Sequence, residues 1–390
     1  MDQYVDSLPY VPNRAEYEAR ARSVPRHEIE EAVLPEGFPV NITSKMAWDR
    51  DSIESYEDGY ILNLDDSQLK EIDDALQNFK SLGKPLELLS PATFPLPSLH
   101  SILRGVSDNI HTGTGFSLVR GIPVDRYSAE ENMIIYVGVS SHIGRIRGRQ
   151  GYKYDGCPAD VVVTHLTDMR PPSDPTLTVR VAGDTNEDIP FHTDVGDIVS
   201  LFALGESAEG GESLLASSWR VYNELARTRP DIIQVLASDW PIPSSKQEGA
   251  FIHRPLMFHQ NSSGTTPERL LINFSRRWLA GYGDLKRTRL LSVRQAEALD
   301  SLHFLAERFH ISMKLQKGDM QFFNNLSILH ARRGYNDGPQ QKRHFLRLWL
   351  KDPENAWPMP KQLQQKWDGV YSEEESRGPQ VFPLYPYTTV

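Results

Sequence analysis

Sulfur chemistry is almost missing from this chain. Its 390 residues include one cysteine, Cys157, which excludes an intramolecular disulfide framework and any cysteine-built zinc cluster. That single thiol reads as a small buried or loop residue rather than a nucleophile. Basic clusters are missing too. The formal charge is -10, no block of Lys and Arg stands out, and no helix face is basic. This argues against nucleic acid as a partner, because phosphate contacts need a basic surface. No apolar stretch approaches the ~20 residues of a membrane span. The start, Met1-Asp2-Gln3-Tyr4-Val5-Asp6, lacks the basic start and apolar run of a secretory signal. Thr388-Thr389-Val390 matches no peroxisomal or prenylation signal. A cytoplasmic location is the default expectation. Internal repeats and low-complexity tracts are also absent.

What is present is the composition of a globular protein, 39% hydrophobic and 24% charged, with apolar residues enough for a sizeable core. The length allows one large domain or two smaller ones. No hard boundary is visible, so the expectation is a single catalytic domain over 1–390. Within it, a helical and extended N-terminal region (1–110) packs on a core (111–352), and an extended tail (353–390) wraps over it. Charged patches at 16–22 and 27–33 are predicted helical. Ser67 to Leu82 reads as an amphipathic helix with Ser67 as N-cap, its apolar residues Leu69, Ile72, Ala75, Leu76 and Phe79 at helical spacing. Further helices are predicted at 99–109, 128–143, 219–228, 230–236 and 293–310. Strands are predicted at Phe116–Arg120, Val161–Val163, Leu177–Val179, Asp197–Leu204, Leu270–Phe274, Met320–Phe323 and Arg343–Leu350. Strands that do not alternate regularly with helices argue against a doubly wound parallel sheet. They fit a mostly β fold, a sandwich or jelly roll with outer helices.

Of the twelve histidines, only His192 is followed two residues later by a carboxylate, Asp194. A pair spaced by two on a strand shares one face. Fifty-two carboxylates in 390 residues supply about one or two such hits by chance, so the pair alone carries no weight. Its interest lies downstream, in His330 and the alternating stretch Lys342 to Leu350. There His344, Leu346, Leu348 and Leu350 point one way, and Arg343, Phe345, Arg347 and Trp349 the other. Two histidines and one carboxylate on three corners of an octahedron leave three corners open, the arrangement of non-haem Fe(II) oxygenases. Arginines on an otherwise apolar face need anionic partners, and a guanidinium matches a carboxylate with two parallel hydrogen bonds. Those partners are either protein carboxylates or anionic ligands. The alternative is a strand whose polar side faces water.

These residues resemble the Fe(II)/2-oxoglutarate dioxygenases of the taurine dioxygenase (TauD/TfdA-like) family. The likeness covers Gly115 to Lys351. It comprises Gly115-Phe116-Ser117-Leu118-Val119-Arg120-Gly121-Ile122-Pro123, Phe191-His192-Thr193-Asp194, Glu209-Gly210-Gly211-Glu212-Ser213, and His330 with the Arg-x-x-x-Arg strand. The resemblance implies a double-stranded β-helix (jelly roll) with outer helices. It implies that His192, Asp194 and His330 bind iron, that Arg343 holds the distal carboxylate of 2-oxoglutarate, and that Ser213 contacts the same carboxylate where the family usually has Thr. Arg347 matches the family's second arginine, which in taurine dioxygenase binds the substrate's acidic head group. The segment Ala331 to Lys342 looks slightly longer than in taurine dioxygenase. With O2 as co-reactant, the implied chemistry removes hydrogen from an unactivated C–H bond and gives succinate and CO2. Family halogenases lack the carboxylate that Asp194 retains, so hydroxylation, desaturation or ring closure is expected and halogenation is not. The aromatic tail and Pro-rich N-terminus are similar to fungal members used in specialised metabolism.

The expected partner is therefore a small carboxylate-bearing substrate such as an amino acid, and the class leaves room for a homodimer. Phe191, Phe345 and Trp278 are candidates for an apolar substrate wall. In the acidic pair Glu187-Asp188, Asp188 is a candidate for a substrate amine. Two other readings stay open: a protein hydroxylase with the same metal chemistry, and a jelly-roll binding protein with a structural metal site.

Overall fold

The computed structural model describes all residues except 1–3, 6–7, 54–56, 172, 175–176, 178, 180, 245–249, 265–266, 284, 287–290 and 388–390. Most of the Met1 start and the Thr388-Thr389-Val390 end thus lie outside the described residues, as does Thr178. Leu177 and Val179 on either side of it are not in a strand.

Two facing sheets frame the site. Taken in chain order, their strands are β1 (Ile61–Asn63), β2 (Phe116–Arg120), β3 (Ile146–Arg147), β4 (Val163–Leu166), β5 (Ile189–His192) and β6 (Ile198–Gly205). They continue with β7 (Ser213–Ser217), β8 (Ile311–Met313), β9 (Met320–Asn324), β10 (Ile328–Arg332) and β11 (His344–Lys351). The larger sheet runs β1-β2-β9-β6-β11, with β11 also pairing β3 and β4; the smaller runs β8-β7-β10-β5. All these pairings are antiparallel except β1 with β2. This is the jelly-roll core expected from short, irregularly spaced strands.

Strand alternation decides what each face carries. On β11, Leu346, Leu348 and Leu350 are at most 1% exposed and join the outer apolar cluster with Ile198, Phe202, Met320 and Phe322. Each such leucine contributes roughly 1.5–3 kcal/mol by leaving water. That layer is covered by α1 (Asp66–Leu82), α2 (Leu99–Thr112) and α3 (Ala129–Ser141). The smaller sheet turns Phe191, Leu214, Ala216 and Leu329 outward against α4 (Ser218–Thr228), α5 (Pro230–Leu236) and α6 (Val293–Phe309). Between the sheets, one end is filled by Phe116, Val199, Leu201, Leu215, Phe323 and Ile328. The polar half of the β11 inner face looks into the rest of that space.

Two expectations change. The cap of α1 is Asp65, not Ser67: Asp65 has extended backbone, its side chain accepts the Gln68 amide, and Gln68 returns the bond. Ser67 lies inside the first turn and donates to Asp65. The tail is not simply extended either. Lys361–Tyr371 forms α7, which buries Leu363, Trp367 and Val370; their i, i+4, i+7 spacing is helical, though the surrounding Pro, Trp and Tyr suggested a strap. Trp367 Nε1 donates to Asp197 Oδ1 at 2.6 Å and ties α7 to the core. Among the described residues, no helix is long and apolar enough to cross a membrane.

Candidate active site

His330 on β10 lies directly opposite His192 on β5, and the ladder is irregular just beyond this pair, between His330 and Arg332. Opposed residues bring their side chains together, and the two imidazole centroids are 4.1 Å apart. Asp194 does not sit on the strand, which ends at His192. It lies in the turn beyond, where Asn325 Oδ1 accepts its backbone N–H at 2.8 Å and Asn273 Nδ2 donates to its carbonyl at 3.2 Å. That turn still aims the carboxylate at the histidines, and one ligand atom from each of His192, Asp194 and His330 lies within 4.8 Å of the others.

The bonding around this triad leaves metal-facing atoms open. His192 Nδ1 donates to the Pro190 carbonyl at 2.9 Å, which sets the tautomer and leaves the Nε2 lone pair free. Asp194 Oδ2 accepts from Arg347 Nη1 at 2.8 Å and from Trp349 Nε1 at 3.1 Å. Its other oxygen, Oδ1, faces His192 Nε2 at 3.7 Å. His330 has a buried ring nitrogen, Nδ1, without a partner. Burial pushes both imidazoles toward the neutral, ligating form. For Asp194, burial would raise the carboxyl, but Arg347, the two histidines and Trp349 together hold it down at about 2. The donor set of two neutral imidazoles and one ionised carboxylate fits a divalent first-row metal with open positions.

A cavity of about 270 Å³ opens on the triad and is lined also by Ser213, Trp278, Arg332, Arg343, Arg347 and Trp349. Arg343 is 3% exposed, and its Nε and Nη1 have no partner. The guanidinium lies 3.9 Å from the Phe345 ring centroid and 5.3 Å from that of Tyr335, whose buried hydroxyl also lacks a partner. Burial pushes Arg343 down to about 9, so it remains a cation at neutral pH. A buried cation without an anion is costly, and the cavity beside it is where an anion can enter. Gly211 makes room for this side chain. Its φ is +78°, and a Cβ there would lie 2.8 Å from Ser207 Oγ and 3.1 Å from Arg343 Cδ.

The remaining expected residues divide. Trp278 lines the cavity, and Phe345 is the platform beneath Arg343. Ser213 lies in the cavity wall, but its hydroxyl donates to Gln321 Oε1 at 2.8 Å. Phe191 does not reach the cavity: alternation from His192 turns it into the outer core, against His303 and His310. Asp188 is also elsewhere, accepting the Gly334 N–H at 2.9 Å on a separate surface groove, while Glu187 pairs with Arg170 at 3.2 Å. Arg347 is less free than its strand position suggests, since Nε donates to Gln150 Oε1 at 2.8 Å and Nη1 to Asp194.

Sequence reasoning missed Gln150, Asn325, Tyr335 and Tyr10. Tyr10 lines the cavity from the N-terminal segment, with its ring 4.6 Å from Tyr282. None of the four belongs to a local pattern. Only the Asn324-Asn325 pair before β10 hinted that buried amides were holding a turn.

Comparison with known proteins agrees with this geometry. Residues 63–349 match the model of the "Taurine catabolism dioxygenase TauD, TfdA family". A taurine hydroxylase-like protein, SAT17, of Stachybotrys chartarum is 34% identical over 359 residues, covering 89% of this chain and 90% of that one. FR-33289 synthase of Streptomyces rubellomurinus is 26% identical over 332 residues, with 83% and 93% covered. Among solved structures, asparagine oxygenase with Fe(II), 2S,3S-3-hydroxyasparagine and succinate superimposes with TM-score 0.56 at 15% identity, over 83% of this chain and 100% of that one. The non-haem iron oxygenase OrfP with Fe and α-ketoglutaric acid gives 0.55 at 14% identity, over 82% and 99%. These two likenesses concern the fold. With the family match and the first relative's identity, they lead to one conclusion: the chain belongs to the TauD/TfdA family of Fe(II)/2-oxoglutarate-dependent dioxygenases.

Proposed function

We propose that His192, Asp194 and His330 hold Fe(II), that Arg343 binds the distal carboxylate of 2-oxoglutarate, and that a small carboxylate-bearing substrate lies between them and Arg347. The observation that carries this reading is Arg343: a buried guanidinium with Nε and Nη1 unpartnered, in the wall of the cavity that the triad opens on. A structural metal site has no use for such a group. A cavity of about 270 Å³ also favours a small molecule over the extended peptide of a protein hydroxylase.

Bound iron, with 2-oxoglutarate and O2, supplies the oxidant that removes hydrogen from an unactivated C–H bond, leaving succinate and CO2. The protein's part is positioning. Trp349 and Arg347 fix Asp194 Oδ2, so that Oδ1 is the oxygen presented to the metal. Pro190 fixes the His192 ring. Arg343, on its Phe345 platform, orients 2-oxoglutarate through a charge-assisted pair. Arg347 Nη2 remains for the substrate carboxylate, since Nε and Nη1 are engaged. Because Asp194 would supply a carboxylate ligand to the iron, the chemistry would be hydroxylation, desaturation or ring closure rather than halogenation.

The test is a screen of small amino and keto acids for succinate release coupled to substrate loss. At least one acid should stimulate 2-oxoglutarate turnover in the wild type and fail to do so in His330→Ala. Stimulation that survives in His330→Ala would refute the ligand set.

A further inference from the structure

A side pocket of about 130 Å³ opens off the main cavity and shares Gln150, Gly183 and Arg347 with it. Its other polar walls are Thr164 and His165, both already hydrogen-bonded, Asp184, in the short 3-10 turn Ala182–Asp184, and Tyr387, near the end of the tail. The pocket is built rather than incidental. Phe382 is buried, the Pro383 carbonyl accepts from His165 Nε2 at 2.8 Å, and Tyr154 meets the Tyr387 ring edge-on at 5.3 Å. The tail is thereby fixed with the Tyr387 ring at the pocket.

Within it, polar capacity is unused. The Tyr387 hydroxyl is buried without a partner. The Asp184 carboxylate feels Arg347, Arg277 and Arg332 through space but accepts no side-chain hydrogen bond from any of them. Arg332 is turned to the carbonyls of Thr185 and Glu187, and Arg347 to Asp194 and Gln150. Burial pushes the Asp184 carboxyl up to about 6 against those cations, which leaves it ionised at neutral pH. A half-buried carboxylate and a buried phenol oxygen suit the N–H bonds of a cation.

We propose that Asp184 and Tyr387 form a subsite for the ammonium group of the substrate, which, with Arg347 Nη2 on the carboxylate, selects amino acids over acids that lack the amine. The proposal rests on the reading that Arg347 takes the substrate carboxylate. A site built to pair with an amine favours it over the analogue without it, because only the amine gains the pair with Asp184. It also gives the C-terminal tail a role, since the tail delivers Tyr387.

The test compares amino acids with the matching des-amino and 2-hydroxy acids, in the wild type, Asp184→Asn and Tyr387→Phe. Affinity is read by anaerobic calorimetry on protein loaded with Fe(II) and 2-oxoglutarate, and KM by succinate release. The wild type should favour the amine by at least ~10-fold, and Asp184→Asn should raise Kd and KM for the amino acid by ~10-fold to ~100-fold, the effect of losing one charged hydrogen bond. The same variant should leave the des-amino acid's affinity within about twofold, and Tyr387→Phe should show a smaller loss in the same direction. Equal use of amine and des-amino acid by the wild type, or a preference unchanged in Asp184→Asn, overturns the subsite while the Arg347 reading stands. If no acid of either kind binds although Fe(II) and 2-oxoglutarate do, the Arg347 reading falls and the subsite with it.

Discussion

Arg347 Nη1 donates to Asp194 Oδ2 at 2.8 Å, the oxygen that Trp349 Nε1 also reaches at 3.1 Å. The residue that the family likeness assigns to the substrate therefore also holds the carboxylate proposed as a metal ligand. From Arg343, just before β11, to Trp349 on its inner face, seven residues thus carry three proposed tasks: Arg343 for the cosubstrate, Arg347 for substrate and ligand, and Trp349 for the ligand alone.

Trp349→Phe keeps the ring and removes the N–H. Asp194 then loses one of two bonds that orient it, and the Fe(II) dissociation constant should rise by ~10-fold, at the low end of what outer-shell changes cost. Competition with a metal chelator measures this. An unchanged constant would mean Arg347 alone is enough to fix the carboxylate.

Arg343→Ala should raise the 2-oxoglutarate requirement by ~100-fold or more, since a buried charged pair is broken on one side. Fe(II) affinity should stay near that of the wild type, because Arg343 touches none of the triad. Loss of iron in this variant would show that the assignment is wrong. Gly211→Ala reaches the same side chain from another direction. Its φ of +78° and a Cβ 3.1 Å from Arg343 Cδ predict ~1–3 kcal/mol of destabilisation and a raised KM for 2-oxoglutarate. Thermal unfolding and initial rates read the two effects separately.

Much of the fold and site was legible in the sequence, and the reasons differ by element. The β11 face was readable because period-two alternation left arginines and leucines on opposite sides, and Leu346, Leu348 and Leu350 do pack outward. The pairing of His192 with His330 needed the family likeness, since nothing local sets a register between strands so far apart in the chain. Phe191 was misplaced although the same alternation that turns His192 inward turns its neighbour outward. The Asp184 pocket was out of reach: it joins a short turn, β11 and the tail, which only the fold brings together. In α7 the apolar spacing of Leu363, Trp367 and Val370 was present but masked by the prolines and aromatics around it.

Asp197 is buried, and burial pushes its carboxyl up to about 6, with Trp367 and Lys351 offsetting part of the effect. A raised folded-state value means the native state holds this proton longer than the unfolded chain does. The group's contribution is fully present below about pH 4 and is lost as pH rises through about 6, where the ionised form destabilises the fold. Asp197→Asn keeps an acceptor for Trp367 Nε1. It should raise Tm relative to the wild type at pH 8 by a few degrees, for ~1–2 kcal/mol, and by little at pH 4. A gain of equal size at both pH values would mean that ionisation of Asp197 is not its source.

The central claim is that one site holds Fe(II) on His192, Asp194 and His330 and chelating 2-oxoglutarate on Arg343. Anaerobic addition of Fe(II) and then 2-oxoglutarate to the pure protein tests it most directly, through the weak visible charge-transfer band that such complexes give. The band should appear in the wild type at one iron per chain, be absent from His330→Ala, and need far more 2-oxoglutarate in Arg343→Ala. A wild-type protein that gives no band, and no 2-oxoglutarate-dependent O2 uptake with any small acid, would contradict the account.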